Sequence, residues 1–259
     1  NNIFEQLQAL TLAVYTPLAY VFPSRRSKYE DLYNVTAGSA RSNLGQAGRE
    51  QGLKKLMTVN LLKRLESSVD AFRLTLAKIE DSVTHTLGRI CNHAGNLADL
   101  SPDFAGLDVD DEDGTNIEAL AFGEKIKIDL DDVDIESWQR DLWNDRETLR
   151  GLLDEMRKVT PEHDLKLRKL KRLIGDKAAH PINDGNRKVL VFSAFADTAD
   201  YLYRELAPTL AAAGIDTAVI TGGSHGAKTT LGTGFDFQQV MSLFSPRSCL
   251  LYTSDAADE

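Results

Sequence analysis

Gly222, Lys228 and Thr229 follow a short apolar run at the offsets of the phosphate-binding loop G-x-x-x-x-G-K-[ST], whose backbone N–H groups close on phosphate. Ala227 stands where that loop has the glycine beside its lysine, and Leu231, Gly232, Thr233 and Gly234 separate the lysine from the next helical pattern at 236–244. A true loop of this kind runs straight into a helix whose N-terminus faces the phosphate, so the spacing predicts no nucleotide cradle. Ser224 and His225 are neighbours, which rarely lets one present a base to the other, and no G-x-S-x-G elbow occurs. The acidic string DVDDEDG at 108–114 is dense enough for calcium, yet with Gly114 at the sixth loop position Val109 and Leu120 fall where carboxylates are required. Cys91 and Cys249 stand alone, without the spacing of a zinc site or a disulfide framework. No catalytic residue and no metal ligand is assigned.

Charge chemistry is better represented. Lys166, Arg168, Lys169, Lys171 and Arg172 form a basic run on a predicted helix, and Lys166 and Lys169 are the candidate phosphate contacts; a solvated helix face is the alternative. Arg25, Arg26 and Lys28 make a smaller cluster open to the same two readings. The net charge of −9 hides this, because 99–136 carries 14 acidic residues against Lys125 and Lys127 and 249–259 carries three more. Without those two stretches the chain is mildly basic, which suits a nucleic-acid partner.

The elements that must position these residues are read from periodicity. In RKVLVFSAFADTADYLYREL at 187–206, VLVF is an unbroken apolar run of strand length, and Ala199, Leu202, Tyr203, Leu206 and Leu210 then repeat at helical steps until Gly214. Ala218, Val219 and Ile220 supply a second short run. The pattern predicts a strand-helix-strand crossover in a parallel sheet, with ligands at the carboxyl ends of its strands, Ser193 to Phe195 at the first and Thr221 to Ser224, including Gly222 and Gly223, at the second. Upstream, Leu53, Met57, Leu61, Leu65, Val69, Phe72, Leu76, Ile79, Val83, Leu87 and Ile90 predict one amphipathic helix of roughly 55 Å, needing an antiparallel partner downstream. Helical patterns at 137–159 and 165–174 are the candidates, and the three are expected to form a bundle or hairpin. The N-terminal 3–14 reads as a short helix, 24–52 as a loop, and 125–130 as a short strand.

VLVFSAFADTADYL resembles motif IV of superfamily-two helicases, in the form found in bacterial Swi/Snf-type ATPases, and ITGGS resembles the segment that follows it. LLKRLESSVDAF at 61–72 resembles a string that such proteins carry between their two motor lobes, and IFEQLQALTLAVYTPLAYV resembles the approach to it. The resemblance touches about half the chain. It implies a mostly α, mixed α/β fold: a long helical arm, then a partial RecA-like parallel sheet with flanking helices. It also implies that Ser193, Phe195 and Thr198 of the first string and Thr221, Gly222 and Gly223 of the second help to grip a DNA backbone or support that grip, and that Arg64 and Glu66 serve communication between the lobes or hold the helical arm, although Arg64 and Glu66 also fit a solvated helix face.

By this resemblance the expected organisation is the end of the first lobe and a loop at 1–52, a helical arm at 53–180 with the acidic insertion at 99–136, and part of the second lobe at 181–248. CLLYTSDAADE at 249–259 resembles the translation of a sequencing-library adapter and is set aside as an artificial tail. The implied parent is a cytoplasmic bacterial DNA-dependent ATPase, using ATP and magnesium to move on duplex DNA without sequence preference. The phosphate loop, the Asp-Glu metal motif and the arginine-rich motif VI are not in this sequence. The chain by itself is therefore expected to be inactive and to need the parent's other lobe regions as partners, with no membrane and no cofactor of its own. A non-catalytic helical protein-interaction module is the alternative function.

Overall fold

The computed structural model describes residues 2–29, 46–92, 98–99, 127–222 and 227–245, so Gly223, Ser224, His225, most of the acidic insertion and the tail 249–259 lie outside it. The chain divides into two compact units, Asn1–Lys158 and Val159–Glu259. Both are built mainly of helices, and no described helix is long and apolar enough to cross a membrane.

In the first unit the predicted single long helix is two. Helix α2 runs over Gln46–Ser67 and α3 over Val69–Cys91, with Ser68 between them at φ −153° and ψ 150°. The Ser68 hydroxyl accepts from the Ala71 N–H at 3.0 Å, capping α3, so a polar residue inside an unbroken apolar repeat ends one helix and starts the next. Helix α3 packs antiparallel on α4, Ile135–Arg157: Arg150 pairs with Glu80 at 2.8 Å, and Gln139 reaches Cys91 near the other end. Asp134 caps α4 through the Ser137 N–H. Phe72, Leu76, Ile79 and Val83 of α3 meet Trp138, Leu142, Leu149 and Leu152 of α4, all buried in one core with Met57 and Leu61 of α2. The downstream partner is thus the 137–159 pattern.

Helix α1 covers Asn2–Ala9 and stops short of the predicted 3–14. Beyond it Leu12 takes a left-handed backbone, φ 50° and ψ 44°, before 3-10 turns at Ala13–Tyr15 and Pro17–Tyr20. A non-glycine residue is disfavoured there by about 1 kcal/mol or more. The conformation is held from α4. The buried Asp145 carboxylate accepts from Thr11 N–H at 2.7 Å, Thr11 Oγ1 at 2.8 Å and Ala13 N–H at 2.8 Å, and Trp138 Nε1 donates to the Ala13 carbonyl at 3.1 Å. Strands β1, Ala98–Asp99, and β2, Lys127–Ile128, pair antiparallel, so the short strand expected at 125–130 is present as β2.

The second unit packs α5, Leu165–Ala179, against α6, Ala196–Ala212, through Leu167, Ile174, Tyr201 and Leu206. The helix at 165–179 therefore belongs to this unit, whereas periodicity grouped it with the helices of the first. Gly214, at φ 67°, ends α6 as expected, and the Ile215 N–H returns to the Leu210 carbonyl. Strand β3, Ala218–Val219, follows and pairs antiparallel with β4, Lys228–Thr229. This corrects the sheet expectation: the described residues contain no parallel sheet, and 189–192 is not a paired strand. A strand buried on both faces needs a ladder neighbour and cover on each side. Here the small α5–α6 core supplies neither, and Leu190 and Phe192 stand 60% and 87% exposed. Helix α7, Phe237–Phe244, closes the described chain with a capping box from Asp236 and Gln239.

Candidate nucleic-acid interface

Helix α5 begins where Asp164 accepts from the Lys166 and Leu167 N–H groups at 2.9 and 3.0 Å. Its buried side is set by Leu167 and Ile174, with Leu170 packed beside them. At 100° per residue that leaves one exposed arc carrying Lys166, Arg168, Lys169 and Arg172, all exposed, while Lys171 is half-buried at its edge. The charges surround Leu165 and Leu173, which are also exposed, and Asp176 is the one acidic side chain within the arc. The four cations lie within two turns of the helix and fan across roughly 160° of its exposed side. A phosphate backbone asks for positive charge and not for a shaped pocket, so this exposed side is the candidate for such contacts.

The second oxygen of Asp164 accepts from Tyr201 Oη at 3.0 Å, and the Arg204 guanidinium lies over the Tyr201 ring at 5.3 Å. The start of α5, with Lys166, is thereby tied to the first half of α6. Ser193 and Phe195 form the turn that leads into α6: the Phe195 N–H donates to Ser193 Oγ at 3.2 Å, and that hydroxyl donates to the Phe195 carbonyl at 3.1 Å. Phe195 and Thr198 are buried. They can support the α6 start but do not present their side chains to a ligand, whereas Ser193 is exposed. Asp197 in the first turn places a carboxylate where an anion would meet the helix dipole, so phosphate is better received by the α5 face. Thr221 is half-buried, and Gly222 is exposed with open space where a side chain would begin.

Lys228, the lysine of the loop-like string, sits in β4 and pairs with Asp200 of α6 at 2.6 Å. It is thus engaged by a carboxylate, in a strand, and 223–226 of the same string lie outside the described residues. Among the described residues no cluster of His, Cys, Asp and Glu could hold a metal ion. No family model, curated protein or solved structure matches the chain.

Arg64 and Glu66 belong to the first unit, and the residues above to the second. Glu66 is exposed, but Arg64 is fully buried, with Nε donating to Asn60 Oδ1 at 3.0 Å. The solvated-face reading therefore fails for Arg64. A buried guanidinium beside the Ser68 break acts on the α2–α3 junction, where the Ser68 N–H also donates to the Arg64 carbonyl at 3.0 Å. The small basic cluster is consumed internally: Lys28 and Arg25 meet Asp132 at 2.6 and 3.3 Å, Tyr29 Oη donates to the same carboxylate at 2.7 Å, and Arg26 reaches the Val21 and Ala19 carbonyls. These partners hold the Asp132 carboxyl below its ordinary range, Lys28 contributing most.

Sequence reading singled out none of the buried carboxylates, of which two are the least exposed. Asp145 is one, with desolvation by burial raising its pKa against the pull of its three donors. The other is Glu50 in α2, whose oxygens share the Leu18 N–H at 3.1 and 3.4 Å; burial pushes its pKa from 4.5 to about 8. The only available signal was weak: each is an acid at a position where the helical repeat calls for an apolar residue.

Proposed function

We propose that this chain is an interior piece of a bacterial Swi/Snf-type DNA-dependent ATPase, combining the end of the first motor lobe and a helical arm with the opening of a RecA-like second lobe. In this reading 189–192 is the first strand of that lobe, and its neighbours come from sequence of the parent that is not in this chain. ATP and magnesium act between the parent's lobes, in the cytoplasm. The contribution made here is to hold the arm and to grip duplex DNA by its backbone, without sequence preference.

The observation that carries the reading is the order of elements at 187–212: an apolar run of strand composition, a Ser193–Phe195 turn and a helix from Ala196, all within the string that resembles motif IV. Exposure of that run supports it, because a VLVF segment is a poor surface and a good interior strand. The cationic face of α5 supplies the DNA-facing charge, through Lys166 and Lys169 in particular, and Ser193, Thr221 and Gly222 add contacts from the loops that carry them. Phe195 and Thr198 hold the α6 start that positions Ser193. Arg64 steadies the α2–α3 junction within the arm, and Glu66 remains exposed beside it.

The source DNA tests this directly. Its reading frame is expected to continue into a phosphate-binding loop and an Asp-Glu motif upstream of the segment and an arginine-rich motif downstream. A continuous frame that encodes none of the three would overturn the assignment.

A further inference from the structure

The cationic side of α5 begins on a carboxylate, which is the wrong charge for a phosphate contact, and that carboxylate is put away. Asp164, two residues before Lys166, is only 9% exposed. One of its oxygens accepts from the Lys166 and Leu167 N–H groups, so it fills the helix N-terminus and leaves phosphate to the side chains beyond. Its other oxygen accepts from Tyr201 Oη at 3.0 Å, in the second turn of α6. Tyr201 is itself fixed: its ring is 5% exposed and packs with Leu167, Ile174 and Leu206, and the Arg204 guanidinium lies over it. The hydroxyl is therefore placed by the α5–α6 core and in turn places the start of α5.

We propose that Tyr201 is a positioning residue for the contact between Lys166 and a DNA phosphate: its hydroxyl keeps the Asp164 carboxylate buried and locks the first turn of α5, from which Lys166 reaches out. This rests on the DNA reading of the α5 side and deepens it. Without the hydroxyl, one Asp164 oxygen is left in a buried site without its donor, and it regains hydrogen bonds only by turning to water. That turn loosens the cap and brings a negative charge out beside Lys166, and both changes weaken the same phosphate contact. Arg172, six residues further on, is placed by the packing of Leu167 and Ile174 and does not depend on the cap. The string that resembles motif IV thus acts on DNA through α6, by setting where the cationic helix begins, and not only through its exposed Ser193.

The test is a labelled duplex titrated with the full chain over a salt series. Tyr201→Phe keeps the ring and is expected to weaken binding about threefold at low salt and to bring the log-log slope from about −3.6 to about −2.7, the loss of one phosphate contact. In a Lys166→Ala background the same substitution should change neither affinity nor slope, whereas in an Arg172→Ala background it should keep its full effect. Asp164→Asn provides the rescue: its oxygen still caps the helix and its NH2 can donate to Tyr201 Oη, so it should bind at least as tightly as wild type, while Asp164→Ala should match Tyr201→Phe. Circular dichroism checks that each variant is folded, and if Tyr201→Phe is not, the two Asp164 variants decide. A wild-type chain that binds no duplex overturns the DNA reading and this role with it. Wild-type binding whose slope is untouched by Tyr201→Phe, an equal loss in the Lys166→Ala background, or Asp164→Ala and Asp164→Asn that bind alike overturns the role of Tyr201 alone.

Discussion

Asp145→Ala is expected to lower the melting temperature of the chain by about 10 °C, the largest effect of any single side-chain truncation outside the apolar core. The substitution leaves the Thr11 and Ala13 N–H groups without their acceptor in a buried site, at about 1–3 kcal/mol for each donor. It also releases the left-handed Leu12 backbone, which those bonds hold in place. For a chain of this size about 4 kcal/mol corresponds to roughly 10 °C. Asp145→Asn should fare little better, because an amide NH2 replacing either oxygen faces an N–H donor with a donor. A melting temperature within 2 °C or so of wild type for Asp145→Ala, by calorimetry, would show that the turn at 11–13 is held by other means.

A second large effect is a pH dependence carried by Glu50. Below pH 4.5 its carboxyl is protonated in folded and unfolded chains alike and contributes nothing to the difference. Above that the unfolded chain ionises while the folded chain keeps its proton, so stability falls with rising pH until about 8, where the loss is complete. The sign follows from proton counting: across this window the folded state binds more protons than the unfolded state. Glu50→Gln can still accept the Leu18 N–H and has nothing to ionise. The variant should match wild type at pH 4.5 and exceed it by a few kcal/mol at pH 9, with the gap opening across the interval. Stability profiles that run parallel from pH 4.5 to 9 would mean that Glu50 is solvated.

Both predictions rest on contacts that periodicity does not encode. The apolar repeat from Leu53 to Ile90 and the antiparallel helix at 137–159 were legible, because three- and four-residue spacing reports directly which helix face is buried. The break at Ser68 was not, since a serine on a helix face and a serine capping a new helix look alike until the backbone is seen. Asp145 and Thr11 are 134 residues apart, and Lys28 and Asp132 are 104 apart, so neither pairing leaves a local trace. The run at 189–192 shows the opposite limit. Its composition is that of an interior strand, but burial is a property of neighbours, and the described residues provide none. The α5 face was half legible: the basic run was plain, but only its packing on α6 decides that Lys166, Arg168, Lys169 and Arg172 all lie on the side away from the core.

That face is where the functional reading can be tested most directly, by titrating a labelled DNA duplex with the chain at several salt concentrations. If the four exposed cations of α5 all meet phosphates, the logarithm of the binding constant should fall against the logarithm of salt with a slope of about −3.6, for any sequence of duplex. Lys166→Ala with Lys169→Ala should reduce the slope to about −1.8 and leave the melting curve in place, because both side chains lie on the exposed arc. Gly222→Leu, at a position with open space around it, should weaken binding without unfolding the unit. Absence of duplex binding at low salt, or a slope unchanged by the double substitution, contradicts a DNA grip by this face and favours a helical protein-interaction module.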